Sequence, residues 1–305
     1  LYQLYQKYNP NNADVYLTRK FIRDIADYDI DARPEKLLQD IQTNKLNENC
    51  IIVSQPESVD TLATYLKDIS TNVNLLFMTH NTHGTPKSFT YHEILNHPHV
   101  SNVFSENWYD SSHIKVTQIP IGISYKDVYM NGMHNDLVSI SQSMPSNSTK
   151  PLRVLCNAHK KTYPNPSSGY RDDRKIMYTM LKDSPWIDFC EDVHDFSEKN
   201  ILNTWRKHKG YAFELSPSGN GLDCHRTYEA IILHTIPIVR KNTLDSIYIQ
   251  HDLPVVIVDE WSDVTLENLQ IWHEKFKDSF TDTTLAKMKA DYWKQTIQQI
   301  SSRPK

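Results

Sequence analysis

The chain has 305 residues, enough for two domains of roughly 150 residues each, and its hydrophobic fraction of 39% is that of a folded globular chain. Its 33 basic and 37 acidic residues give a net charge of −4, which leaves no basic footprint for nucleic acid. No apolar run approaches the ~20 residues that span a bilayer, no signal-peptide pattern opens the chain, and Cys50, Cys156, Cys190 and Cys224 form no CxxC pair of a zinc ribbon or thioredoxin motif.

Taken in order, residues 1–49 read as helices with polar joints. They include Asp27-Tyr28-Asp29-Ile30-Asp31, two overlapping DxD patterns that read as a solvated acidic helix end. From Cys50 the rhythm changes. Cys50 to Ser54 is a short β-branched run suited to a buried strand, and Glu57 to Ile69 carries apolar residues at helical spacing. Leu75 to Met78 predicts a second strand, Tyr91 to Leu95 a short helix, and Val100 to Phe104 and Lys115 to Ile121 further strands. Ser139 to Pro151, dense in Ser, Pro and Asn, reads as a linker and contains the sequon Asn147-Ser148-Thr149.

The rhythm then restarts. Strands are predicted at Leu152–Cys156, Ile187–Cys190, Tyr211–Leu215, Ile236–Val239 and Pro254–Val258. Helices fall at Asp172–Leu181, Lys199–Lys207 and Arg226–Leu233, and two amphipathic helices near Leu266–Phe276 and Thr284–Ile300 close the chain. Alternation of this kind predicts an α/β protein of two parallel-sheet domains with a cleft between them. The predicted domains are 1–145 and 146–285, with a closing helix at 286–305. Ligands of open α/β sheets sit beyond the carboxyl ends of the strands.

The segment Phe213-Glu214-Leu215-Ser216-Pro217-Ser218-Gly219-Asn220-Gly221-Leu222-Asp223-Cys224-His225-Arg226-Thr227-Tyr228-Glu229-Ala230 is the most informative. A strand enters a small-residue loop with two of the chain's seven glycines, then a helix whose first turn offers free N–H groups to an anion. Arg226 adds a bidentate grip for phosphate, and Glu229 shares its helix face. Spacing alone leaves two readings open: an anion grip, or a plain turn followed by a surface helix pair.

The segment resembles the donor-binding signature of exostosin-like glycosyltransferases, especially the compact ones encoded by large algal viruses, which read Leu-Ser-Pro-x-Gly-x-Gly-x-Asp-x-His-Arg-x-x-Glu-Ala before an Ile-Pro-Ile-Val strand. Here that strand is Ile236-Pro237-Ile238-Val239. Pro98 to Asn107, Ile119-Pro120-Ile121-Gly122-Ile123, and Leu253 to Val258 with Trp261 are similar to further family motifs, so the resemblance covers about residues 75 to 300. It implies a GT-B fold of two Rossmann-like domains facing a central cleft with the 286–305 helix packing back on the first, no obligatory metal or cofactor, and a nucleotide-diphosphate sugar donor. UDP-sugars are favoured, with UDP-xylose first, and the partner is a glycan acceptor. Carried over, Arg226 faces the diphosphate and Glu229 the ribose, while Ser216, Asn220, Gly221 and Asp223 line the loop. Asn157, Lys160 and Arg171 are further phosphate contacts; Arg174, one turn on, reads equally well as a surface residue. The implied compartment is cytoplasmic, of the host if the chain is viral, with a Golgi lumen open if an anchor precedes Leu1.

An inverting transfer needs a general base from the first domain. The candidates, in order, are His83, His80 and Asp110. Met78-Thr79-His80-Asn81-Thr82-His83 departs from the family pattern by placing His83 where an Asp is usual. Trp108 and Tyr109 are candidates to stack on an acceptor sugar. Two other readings stay open: a metal-dependent hydrolase using His80, His83, His97 and His99, and a non-catalytic carbohydrate-binding protein.

Overall fold

Runs such as Cys50–Ser54 have no polar face, which suits a strand covered by helices on both sides. The computed structural model describes residues 15–78, 89–108, 113–159, 173–190, 197–219 and 221–303. The first sheet consists of β1 (Tyr28–Asp29), β2 (Cys50–Ser54), β3 (Val73–Phe77), β4 (Val100–Ser105) and β5 (Val116–Gln118), lying side by side in chain order. All its pairings are parallel. Around it lie α1 (Arg19–Arg23), α2 (Pro34–Gln42), α3 (Val59–Leu66), α4 (Phe89–Asn96) and α5 (His134–Gln142).

The second sheet consists of β6 (Val154–Cys156), β7 (Ile187–Phe189), β8 (Phe213–Leu215), β9 (Ile236–Arg240) and β10 (Val256–Val258). It is also fully parallel, in the order β10-β9-β8-β6-β7. Its helices are α6 (Asp173–Leu181), α7 (Glu198–Lys207), α8 (His225–Ile232), α9 (Asp245–Gln250), α10 (Leu266–Phe276) and α11 (Asp282–Ala286), followed by α12 (Ala290–Ser301).

Each sheet buries one face in its own core: Leu62, Leu66 and Ile94 against Leu75 and Val103 in the first, Met177 and Leu181 with Phe213 and Ile238 in the second. A third core joins the two units. Ile51, Val53, Leu76 and Phe104 of the first sheet share it with Tyr228 and Ile231 of α8 and with Trp293 and Ile297 of α12. Each such side chain contributes about 1.5–3 kcal/mol when removed from water. Helix α12 packs on α1 and β4 although it follows the second sheet in sequence. No helix of the described residues is long and apolar enough to cross a membrane.

Three segments differ from the sequence reading. The Asp27–Asp31 stretch is not a solvated helix end, because it contains β1 and all three carboxylates are engaged. Arg23 binds Asp29 and Asp31, Ile51 N donates to Asp27, and Gln55 N donates to Asp31. The stretch from Ser139 is not a loose linker. It begins inside α5, and Asn147 then sits fully buried with its amide donating to Ala212 O and His234 O, both at 2.9 Å. The sequon's acceptor nitrogen is therefore enclosed in the folded chain. The expected last helix is two, because the chain extends at Lys289: Leu17 N donates to Met288 O and Ala290 N to Val15 O, both at 2.8 Å.

Candidate functional site

In the second sheet the chain leaves β6 for β7 on one side and returns to β8 on the other. A crevice opens at such a reversal, beyond the strands' carboxyl ends. Asn157 follows β6 there and Ser216 follows β8.

The loop after β8 is held from below by α6. Asp173 accepts Ser218 N at 2.9 Å, and the buried Trp261 indole donates to its other oxygen at 2.7 Å. Arg174 Nε donates to Ser218 O at 3.1 Å, and its Nη2 lies 2.6 Å from where a Cβ on Gly219 would stand. Across the loop, Gly221 packs on Asn107 of the first domain so closely that a Cβ would meet its side chain at 2.9 Å. Asn107 Oδ1 accepts Asp223 N at 2.7 Å, Ile121 N donates to Asp223 at 2.9 Å, and His225 Nδ1 donates to Gly122 O at 2.6 Å. The carboxyl ends of both sheets thus meet at this loop.

Cys224 is the N-cap of α8 and makes no side-chain cap. Two residues on, Arg226 is 14% exposed. Its Nε donates to Asn157 O at 3.3 Å and lies 3.9 Å from Glu214 Oε1, while Nη1 has no hydrogen-bond partner among the described residues. Burial lowers the pKa of Arg174, and the charge of Arg226 nearby lowers it further. Two guanidinium groups therefore share one loop, the environment that a diphosphate would neutralise. On the next turn of α8, burial and the charge of Glu214 push Glu229 up to about 7, against a 3.3 Å hydrogen bond from Trp205 Nε1. Asp127 of the first domain adds to that rise.

Of the residues singled out by sequence, Asn157, Arg226 and Glu229 come together at the strand ends. Ser216 and Asp223 are buried and bonded to protein groups, and Gly221 packs on Asn107. The Ser216 hydroxyl bonds that of Thr227 at 2.8 Å, and Asp223 also accepts Tyr228 Oη at 2.7 Å. Trp108 is corrected outright: it is 1% exposed, stacked on Phe77 and edge-on to Tyr91, after Asn107 at φ +50° turns the chain into the core. It is a core residue with no face for an acceptor sugar. His80, His83, Tyr109, Asp110, Lys160, Arg171 and Asn220 lie outside the described residues. His97 and His99 precede β4 at the amino end of the first sheet, where His99 O accepts Val73 N. Among the described residues no group of three His, Cys, Asp or Glu is arranged to hold a metal.

Sequence reasoning gave no role to Asp173, His208 or Glu214 and left Arg174 undecided. A lone carboxylate inside the apolar run Phe213–Leu215 was the available signal for Glu214.

Two parallel α/β units joined through their strand ends, with α12 packed on the first, define the GT-B class of fold. No family model matches the chain, and no curated protein matches it. Among solved structures it is similar to the one titled "Crystal structure of GtfA/B complex", with 10% sequence identity and a TM-score of 0.41. The alignment covers 87% of this chain and 60% of that one, so the chain spans less than two thirds of its neighbour's length. A likeness at this level carries no argument about activity; the strand order carries the fold.

Proposed function

We propose that the chain is a glycosyltransferase of the exostosin-like kind, akin to those of large algal viruses. It moves a sugar from a nucleoside-diphosphate donor to a glycan hydroxyl without an obligatory metal. A UDP-sugar is the favoured donor and UDP-xylose the first to try. The observation that carries this is Arg226 at the sheet's reversal point, with Nη1 unpartnered among the described residues, Arg174 beside it and an α8 start that no side chain caps.

In the transfer, the acceptor oxygen bonds to the anomeric carbon as the bond from that carbon to the diphosphate oxygen breaks. Arg226, Arg174 and the first α8 amides meet the charge developing on the departing diphosphate. Glu229 accepts hydrogen bonds from the ribose hydroxyls, and Asn157, Lys160, Arg171 and Asn220 complete the donor side. The acceptor's proton passes to a first-domain base, with His83 ahead of His80 and Asp110, and Tyr109 offers a ring to the acceptor.

The test is a thermal-shift screen against UDP, GDP and their sugars, since a ligand that binds only the folded state raises its stability. A UDP-sugar raises the melting temperature, Arg226→Ala loses the shift, and His83→Ala keeps the shift but abolishes transfer. Turnover persists in EDTA. If no nucleotide moves the melting temperature, the proposal fails.

A further inference from the structure

Glu214 is an odd residue for its place. Its strand neighbours Phe213 and Leu215 belong to the second sheet's core, yet Glu214 itself is 1% exposed. A buried carboxylate costs several kcal/mol unless it is well paired, and an apolar side chain of similar size usually serves stability better. Its partner is His208, equally buried, in the turn after α7, with Nε2 at 2.9 Å from Oε2. The other ring nitrogen, Nδ1, lies 3.0 Å from Thr204 O. A carbonyl only accepts, so Nδ1 carries a hydrogen. Nε2 and Oε2 therefore share a hydrogen bond that fixes the carboxyl group's orientation.

That arrangement spends Oε2 and leaves Oε1 with no hydrogen bond among the described residues, 3.9 Å from Arg226 Nε. Arg226 Nε also donates to Asn157 O. The Nε edge of the guanidinium is thus turned toward β6 and β8, and Nη1 is the end left unpartnered. The other ionisable groups facing Glu214 or Arg226 are Arg174 of α6, Cys224, His225 and Glu229 at α8, Cys156 on β6 and Cys190 after β7. None of them forms a hydrogen bond with Arg226 among the described residues.

We propose that Glu214, fixed by His208, is a positioning residue that orients Arg226 for a donor diphosphate, an inference that rests on the nucleotide-sugar reading above. The carboxylate does not reach the ligand; it acts through the guanidinium it faces.

The experiment is calorimetric titration of the full chain with UDP and with GDP, with melting curves to confirm folding. Glu214→Gln weakens UDP binding about tenfold, the equivalent of about 1.4 kcal/mol. In an Arg226→Lys background the same substitution changes affinity little, because the group it acts through is gone. His208→Phe, which leaves the carboxylate but frees its orientation, weakens binding similarly, and His208→Gln, which keeps a donor, restores it. If Glu214→Gln fails to fold, the His208 pair decides. Equal losses in both Arg226 backgrounds, or unchanged affinity in Glu214→Gln or His208→Phe, overturn the positioning role and leave the nucleotide reading intact. A wild-type chain that binds neither nucleotide, or unchanged affinity in Arg226→Lys, overturns both.

Discussion

Asn107 and Asp223 meet backbone to side chain across the two domains, 2.7 Å from Asn107 Oδ1 to Asp223 N. The contact forms because Gly221 has no side chain to hold Asn107 away. The loop that sequence reads as a ligand cradle is thus also the joint between the domains.

Gly221→Ala should therefore act on the joint. A Cβ 2.9 Å from the Asn107 side chain is overpacking, with an expected cost of about 1–3 kcal/mol. Urea unfolding checks it. Asn107→Gly relieves the crowding, so the double variant should lose less than the sum of the two single losses.

Trp261 supports the loop at one remove, through Asp173 to Ser218 N. Trp261→Phe keeps the ring packing and drops one hydrogen bond, for a loss of about 1 kcal/mol. Asp173→Ala strands two buried donors and should cost about 1–3 kcal/mol for each. Denaturation midpoints rank the two, and hydrogen exchange at Ser218 should quicken in Asp173→Ala.

Asn147→Ala leaves the Ala212 and His234 carbonyls without its amide. Lys150 Nζ still donates to His234 O at 2.8 Å and Ile236 N to Ala212 O at 2.9 Å, so each carbonyl keeps one partner and two hydrogen bonds are lost. The expected loss is about 1–3 kcal/mol, read from a melting curve.

Glu229 gives stability a pH dependence of definite sign. Its folded pKa is about 7, against about 4.3 in an unfolded chain. Between those values the folded state holds more protons, so the residue's contribution is fully present below about 4.3 and lost as pH rises through about 7. The amount is on the order of 4 kcal/mol. Urea midpoints at about pH 4 and about pH 8, which bracket that window, should differ less in Glu229→Gln than in the wild type.

Much of this architecture is legible in residue order, for a physical reason. Strands buried on both faces are largely apolar runs, so Cys50–Ser54 and Ile236–Val239 announce themselves. Spacing along one helix is equally local, and it places Arg226 and Glu229 a turn apart on α8. What escapes is whatever depends on a distant partner. Tyr28–Asp29 is too short to show a strand pattern and exists because β2 pairs with it. Trp108 after a strand looks the same in sequence whether it turns out or in, and the positive φ of Asn107 decides that. Glu214 stands out in its strand, but His208 and Arg226 give no sign that they will converge on it. Arg174 is called to the loop by Ser218 O, a backbone atom that no side-chain spacing encodes.

The stitch of residues 15–17 to 288–290 has a bearing on synthesis. Ile51, Val53, Leu76 and Phe104 leave the ribosome long before Trp293 and Ile297, which share their core. Half of the first sheet thus waits uncovered while the second is made, and nascent chains with such bare apolar faces are prone to aggregate. Translation halted ahead of Met288 should release a fragment that chaperones retain, even though every strand of both sheets is already present.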